Sequence, residues 1–226
     1  MDVRDSIFQL DPFGPGSPPI KGLQVFQEHP NQTTKHWITN GPLSNCKGRE
    51  TKPLWFNMPM LCSGTTIGTR AAMLKYLEAM YGEMKDWAAQ TKCHFSLNGD
   101  DQSIHNYLFY TGQLPFANSI PNRVGIVNTA GVEGSVVFKA WRQQGMDEEG
   151  LEQGISANRP FPGATDKTWM GPKEYNLTDE FGFFTQADGT RSRVVHQADR
   201  FGMYYWHRWL PKQSFVQDPM ARAARK

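Results

Sequence analysis

Four short stretches of this sequence gather side chains able to do chemistry. The chain begins Met-Asp-Val-Arg-Asp, so Asp2 and Asp5 stand just ahead of the apolar run Ser-Ile-Phe-Gln-Leu and the Asp11-Pro12 turn. Two carboxylates at that spacing can converge on one hard divalent cation, with substrate phosphates completing its shell. A solvated charged terminus has the same composition. The second stretch, residues 98–106, holds Asp100, Asp101, Gln102, His105 and Asn106. A helix N-terminus asks for one capping carboxylate, which Asp101 could supply, and this density exceeds that need. The third, residues 194–200, carries His196 at the end of an apolar strand and Arg200 beyond it. Such a histidine can ligate a metal, move a proton, or simply satisfy its ring nitrogens. The fourth, Cys62-Ser63-Gly64-Thr65-Thr66, offers hydroxyls and backbone amides ahead of a helix, where anionic or sugar groups bind and where a cap would also serve. No phosphate-binding G-x-x-x-x-G-K-[ST] loop, G-x-G-x-x-G turn, G-x-S-x-G elbow or H-E-x-x-H zinc motif occurs.

These residues need elements to hold them. Residues 11–22 are rich in proline and glycine and read as loop. Residues 22–28 read as a strand. Residues 29–60 read as irregular chain anchored by Trp37, Ile38, Trp55 and Phe56. The 3- and 4-residue recurrence of Met73, Leu77, Met80, Met84 and Trp87 predicts a helix over 69–92, with Lys75, Glu78, Glu83 and Lys85 facing out. Residues 62–68 read as a small-residue turn before it. A second helix is expected over 102–110, capped by Asp101 and closed by Gly112, then a strand over 124–129. Residues 142–180 are polar and Gly/Pro-rich, as in a long loop or insertion. Residues 181–196 read as a hairpin turning at Asp188-Gly189. Strands separated by helices give an α/β or α+β domain.

Composition narrows the function classes. A chain of 226 residues can bury a core without disulfide staples. With 24 Lys+Arg against 22 Asp+Glu, the net charge of +2 gives no electrostatic footprint for nucleic acid. No run reaches the ~20 apolar residues of a membrane helix, and the charged first residues lack a signal-peptide core. Cys46, Cys62 and Cys93 follow no metal-binding spacing. They allow at most one bridge; Cys46–Cys62 in an oxidising compartment is one possibility and buried free thiols are the other. The sequons at Asn31 and Asn176 bear on the chain only if it is secreted.

Taken in order, residues 2–13 (Asp-Val-Arg-Asp-Ser-Ile-Phe-Gln-Leu-Asp-Pro-Phe), 62–68 (Cys-Ser-Gly-Thr-Thr-Ile-Gly), 99–108 (Gly-Asp-Asp-Gln-Ser-Ile-His-Asn-Tyr-Leu) and 194–200 (Val-Val-His-Gln-Ala-Asp-Arg) resemble a eukaryotic, plant- and algal-type family of nucleotide-sugar glycosyltransferase-like proteins. Its members have a single-domain GT-A architecture, a mixed sheet flanked by helices. The resemblance implies that Asp2, Asp5 and His196 hold Mn²⁺ or Mg²⁺ against the donor diphosphate, with the acidic pair spaced D-x-x-D rather than D-x-D. It implies that Asp100 and Asp101 supply a catalytic carboxylate, and that Gln102 and His105 sit in the segment contacting the transferred sugar. Ser63 and Gly64 would floor the sugar pocket, and Arg200 would add a second cation at the diphosphate. A nucleotide-sugar donor, a glycan or protein acceptor, and a Golgi or secretory-pathway setting are implied with them.

One departure from that family stands out. Its acidic motif ends a strand that follows several βα units binding the nucleotide, whereas here Met1 directly precedes Asp2. The expectation is an N-terminally truncated GT-A-like domain over 1–226, a fragment or a mis-set start, carrying the metal and acceptor side. Two other readings fit the same residues. One is a non-catalytic carbohydrate- or nucleotide-binding remnant. The other is a metal-dependent phosphoesterase, which would call for more His and Asp ligands than the sequence offers.

Overall fold

The structure is a computed structural model and describes residues 6–28, 33–34, 46, 54–90, 100–130 and 178–197. It is a mixed α/β chain whose contacts separate two compact units; among the described residues, one runs from Pro15 to Thr129 and the other joins residues 6–14 with those from Ala130 onward. Within the described residues the elements are β1 (Ser6–Phe8), β2 (Leu23–Gln27), β3 (Leu61–Gly68), α1 (Arg70–Ala88), α2 (Asp100–Tyr110), β4 (Ala117–Ile120), β5 (Val127–Thr129) and β6 (Val194–His196).

In the first unit β2 is the middle strand of a sheet ordered β3-β2-β4, antiparallel to β3 and parallel to β4. A central strand is covered on both faces, and Leu23, Gln24, Val25 and Phe26 are accordingly all buried. The register of β2 on β3 runs Leu23↔Gly68, Gln24↔Ile67 and Val25↔Thr66, then shifts before Gln27↔Leu61. Leu23, Val25 and Leu61 of this sheet pack with Ala72, Tyr76, Met80 and Trp87 of α1 and with Ile104, Tyr107 and Leu108 of α2.

The segment 62–68, read from its small residues as a turn, is strand instead. Thr65, Thr66 and Ile67 are β-branched and fit a pleated surface, and the pairing with β2 settles the matter. The turn is confined to Thr69, whose hydroxyl accepts the Ala72 N–H at 3.3 Å and caps α1. Helix α1 is four residues shorter at its C-terminus than the expected 92, ending at Ala88. Its core face is also rotated from the expected one. Ala72, Tyr76, Met80, Glu83 and Trp87 are buried, whereas Leu77 and Met84 are exposed. Glu83, expected outside, is inside because its Oε1 accepts the Trp87 indole N–H at 2.7 Å, so each satisfies the other's buried polar atom.

Helix α2 begins two residues earlier than expected, at Asp100, and Asp101 is within it rather than at its cap. It ends as predicted, with Gly112 at φ 76°, a left-handed conformation that glycine adopts without penalty. Of the expected anchors, Trp55 is buried but Phe56 is exposed; Trp37, Ile38 and almost all of the 142–180 segment lie outside the described residues. Cys46 is disulfide-bonded and Cys62 is a buried free thiol, so the Cys46–Cys62 bridge considered from the sequence is not formed.

In the second unit β1 and β6 pair antiparallel, Ser6↔His196, Ile7↔Val195 and Phe8↔Val194. The turn at Asp188-Gly189 is present, with Gln186 N–H bonded to the Thr190 carbonyl at 2.7 Å. Only Thr185↔Arg191 bridges across it among the described residues; Thr178↔Phe184 is a separate bridge ahead of the turn, and the expected second arm, Val194–His196, pairs with β1 instead. Among the described residues no helix is long and apolar enough to cross a membrane.

Two glycines test this packing in opposite senses. Gly22 has φ 64°, and a methyl group there would collide with the Phe116 carbonyl oxygen where β2 meets the approach to β4. Gly22→Ala should lower unfolding free energy by about 2 kcal/mol or more, from the strained backbone and the clash together. Gly82 is inside α1 with open space around its missing side chain, so Gly82→Ala should raise stability by about 0.5–1 kcal/mol, both variants being read by urea titration.

Candidate functional site

The polar residues of the first unit are brought together by how α2 is fastened to β3. Asn106 is 1% exposed, and its side-chain Oδ1 accepts the Leu61 N–H at 2.9 Å while its Nδ2 donates to the Leu61 carbonyl at 2.8 Å. Nδ2 also donates to the Gln102 carbonyl at 2.8 Å. Two residues along β3 advance about 6.6 Å and four residues along α2 about 6 Å. From the Asn106–Leu61 anchor, those equal steps bring Ser63 level with Gln102 and its neighbour Asp101.

Ser63 Oγ lies 3.0 Å from Asp101 Oδ2 and 3.3 Å from Gln102 Oε1, so one hydroxyl proton serves two acceptors. Gln102 Nε2 in turn donates to Glu28 Oε1 at 2.7 Å. Glu28 follows β2, is 6% exposed, and its backbone N–H bonds the Met60 carbonyl at 2.8 Å. Asp101 is exposed while Ser63 and Gln102 are half-buried. The cluster therefore opens outward at Asp101 and is rooted inward at Glu28. Of the residues expected to meet the sugar, Ser63, Asp101 and Gln102 stand together. Gly64 is the next residue of β3, and Asp100 opens α2.

His105 stands apart from this cluster. It is fully buried, with Nδ1 2.8 Å from the Tyr76 hydroxyl and the two rings edge-on at 5.6 Å between centroids. Its Nε2 has no hydrogen-bond partner. Burial holds the imidazole down to a pKa of about 4, against an opposing pull from the Asp101 charge. Burial, with the Asp101 and Cys62 charges added, pushes the Tyr76 phenol well above its ordinary range. Both rings are neutral at pH 7, and their contact joins α1 to α2.

In the second unit Ser6 Oγ lies 3.0 Å from His196 Nδ1 across the β1–β6 register. His196 is 3% exposed, and its carbonyl accepts the Ala130 N–H at 2.9 Å. Nearby, Gln9 Nε2 donates to the Phe184 and Ser192 carbonyls, both at 2.9 Å, and its Oε1 accepts the Phe184 N–H at 2.8 Å. This holds β1 against the segment that leads into β6. Asp2, Asp5 and Arg200 lie outside the described residues. Among those described, no three His, Cys, Asp or Glu side chains form a metal-sized group.

Sequence reasoning passed over Glu28, which carries no signal beyond an acid at the end of an apolar strand. It also passed over the Tyr76–His105 pair, since Tyr76 falls on a helix whose core face was expected elsewhere.

His105 gives this arrangement a pH signature. Between about 6.5 and 4 the unfolded chain binds a proton on this histidine that the folded chain does not. Its burial therefore contributes fully above pH 6.5, and the contribution is lost as pH falls toward 4. In urea titrations over that window, wild-type stability should fall with decreasing pH more steeply than that of His105→Gln, by up to about 1.4 kcal/mol per pH unit. No protein-family model, curated protein or solved structure matches this chain.

Proposed function

We propose that this chain carries the metal-linked and sugar-contacting residues of a glycosyltransferase that moves a sugar from a nucleotide-diphosphate donor to an acceptor hydroxyl. The observation that carries this reading is the Ser6–His196 pair, 190 residues apart in sequence and 3.0 Å apart in space. Asp5 immediately precedes Ser6 in the sequence, so the residue following one proposed metal ligand faces another. Metal-binding histidines characteristically have one ring nitrogen held by an outer partner, and Ser6 Oγ is such a partner for Nδ1. Two carboxylates and an imidazole are a donor set suited to Mn²⁺, and Mg²⁺ is served by the carboxylates. Held by Asp2, Asp5 and His196, a divalent cation would supply charge neutralisation for a departing diphosphate.

The chain's own residues carry the remaining roles in this reading. Asp101 is exposed at the start of α2, and the Ser63 hydroxyl holds one of its oxygens, leaving the carboxylate oriented to accept the proton of an incoming hydroxyl. Ser63 and Gln102 receive the sugar beside it. The disulfide at Cys46 suits an oxidising compartment, in keeping with a secretory-pathway setting.

Calorimetry with Mn²⁺ and nucleoside diphosphates tests the metal-linked half. Binding should require the metal and be lost in Asp5→Ala and in His196→Ala; no metal-linked binding to the wild-type chain overturns the reading. The chemical half is tested by release of nucleoside diphosphate from nucleotide-sugar donors. Asp101→Asn should lower that rate by about 100-fold with nucleotide affinity kept. Metal-linked binding with no turnover in the wild-type chain would instead identify a non-catalytic carbohydrate- or nucleotide-binding remnant.

A further inference from the structure

Helix α1 has two apolar faces, and its own unit covers only one of them. Ala72, Tyr76, Met80, Glu83 and Trp87 are buried on the inner face. A second stripe, Leu74, Leu77, Tyr81 and Met84, is centred about 120° further round the helix and is 49%, 53%, 65% and 40% exposed. Its steps of 3, 4 and 3 residues, continued by the exposed Ala88, are those of a seam along which two helices pack. Single exposed apolar residues are ordinary on a protein surface, whereas four aligned along one helix form a patch that calls for a partner. We infer that this partner is α1 of a second copy of the chain, docked antiparallel about a two-fold axis. The surface is independent of the function proposed above.

Charge selects the occupant. Glu78 and Lys85 flank the stripe on its solvent side, both exposed and one heptad apart. Glu78 has no hydrogen bond or ion pair among the described residues. Lys85 Nζ lies 5.5 Å from the Tyr81 ring centre, alongside the stripe itself. A two-fold interface sets each feature of one copy against its counterpart in the other, so a surface with an acid and a base on either side of its middle complements itself. With the axis near Tyr81, Glu78 of each copy faces the partner's Lys85, and the two apolar stripes lie against each other beside these contacts. A parallel pair lacks this match. It would set Glu78 and Lys85 against Met73 and Met80, which pack toward the core of their own copy. An anionic membrane surface would call for a basic rim, and here Glu78 interrupts it.

Two 19-residue helices meeting along one stripe bury on the order of 1,000 Å² in all, the low end for a specific interface, so Kd should be on the order of 10 μM. Sedimentation equilibrium of the full chain between about 1 and 200 μM should therefore show monomer and dimer exchanging. Leu77→Gln should weaken the dimer about tenfold or more. Glu78→Lys or Lys85→Glu alone should weaken it about fivefold, since each places like charges together twice. The double reversal Glu78→Lys with Lys85→Glu restores the match and should return Kd to within about twofold of the wild type. Thermal unfolding verifies that each variant is folded; should Leu77→Gln not fold, the reversals at the two exposed charges carry the test. A wild-type chain that stays monomeric throughout overturns the inference, as does a dimer indifferent to Leu77→Gln or single reversals that the double does not rescue. Binding of the monomer to phosphatidylserine vesicles, lost in Leu77→Gln, would assign the stripe to a membrane surface instead.

Discussion

Asn106 uses its side-chain amide as a substitute for a neighbouring strand. Among the described residues β3 is an edge strand, paired with β2 alone, and the backbone groups of Leu61 that face away from β2 are bonded by this side chain instead of by a strand. Asn106 accepts from one and donates to the other, and its second amide proton ties the same side chain to the preceding turn of α2. An unpaired buried backbone group costs about 1–3 kcal/mol, so the amide fixes the relative height of α2 and β3 strongly. The Ser63–Asp101 contact follows from that height, since a slip of one residue along either element would separate the two side chains.

The second unit repeats the device with different residues. Gln9 accepts the Phe184 N–H and donates to the Phe184 and Ser192 carbonyls, again a side-chain amide recognising backbone in place of a ladder. β1 and β6 have three residues each, and among the described residues the segment ahead of β6 holds only isolated bridges. Strands that short need such supplementary bonds to hold register. Arg191 reinforces the same region from outside, bonding Asp179 at 2.7 Å and lying 4.1 Å from the Phe183 ring centre. Register matters here because a shift by one residue would move His196 to the other face of its strand.

How much of this was readable in the sequence depended on whether the signal was local. The apolar alternation of β2, the Gly112 stop of α2 and the Asp188-Gly189 turn are properties of adjacent residues, and each was legible. The segment 62–68 was misjudged because small residues favour turns in isolation, while its strand character comes from pairing with β2 some forty residues earlier. The face of α1 was misjudged because Leu77 and Met84 outweigh Tyr76 in apolarity, yet Tyr76 has the buried hydroxyl partner and Trp87 has Glu83. Of the candidate site, the juxtaposition of Ser63 with Asp101 and Gln102 was implied by the family resemblance alone, since residue type read each stretch as well as a helix cap. Glu28 was not legible by either route, since its role exists only through a contact spanning 74 positions.

Cys62 gives the molecule a chemical clock at the place where motion would matter most. Its thiol is 1% exposed and free, and it is the immediate chain neighbour of Ser63. A thiol in that position is protected from alkylating reagents as long as β3 stays docked, and it reacts at the rate at which the strand transiently lifts. The sulfur therefore reports on local opening of the strand that carries Ser63, separately from global unfolding. Ligands that tie Ser63 and Asp101 together would slow the clock, and loss of the Asn106 clamp would speed it.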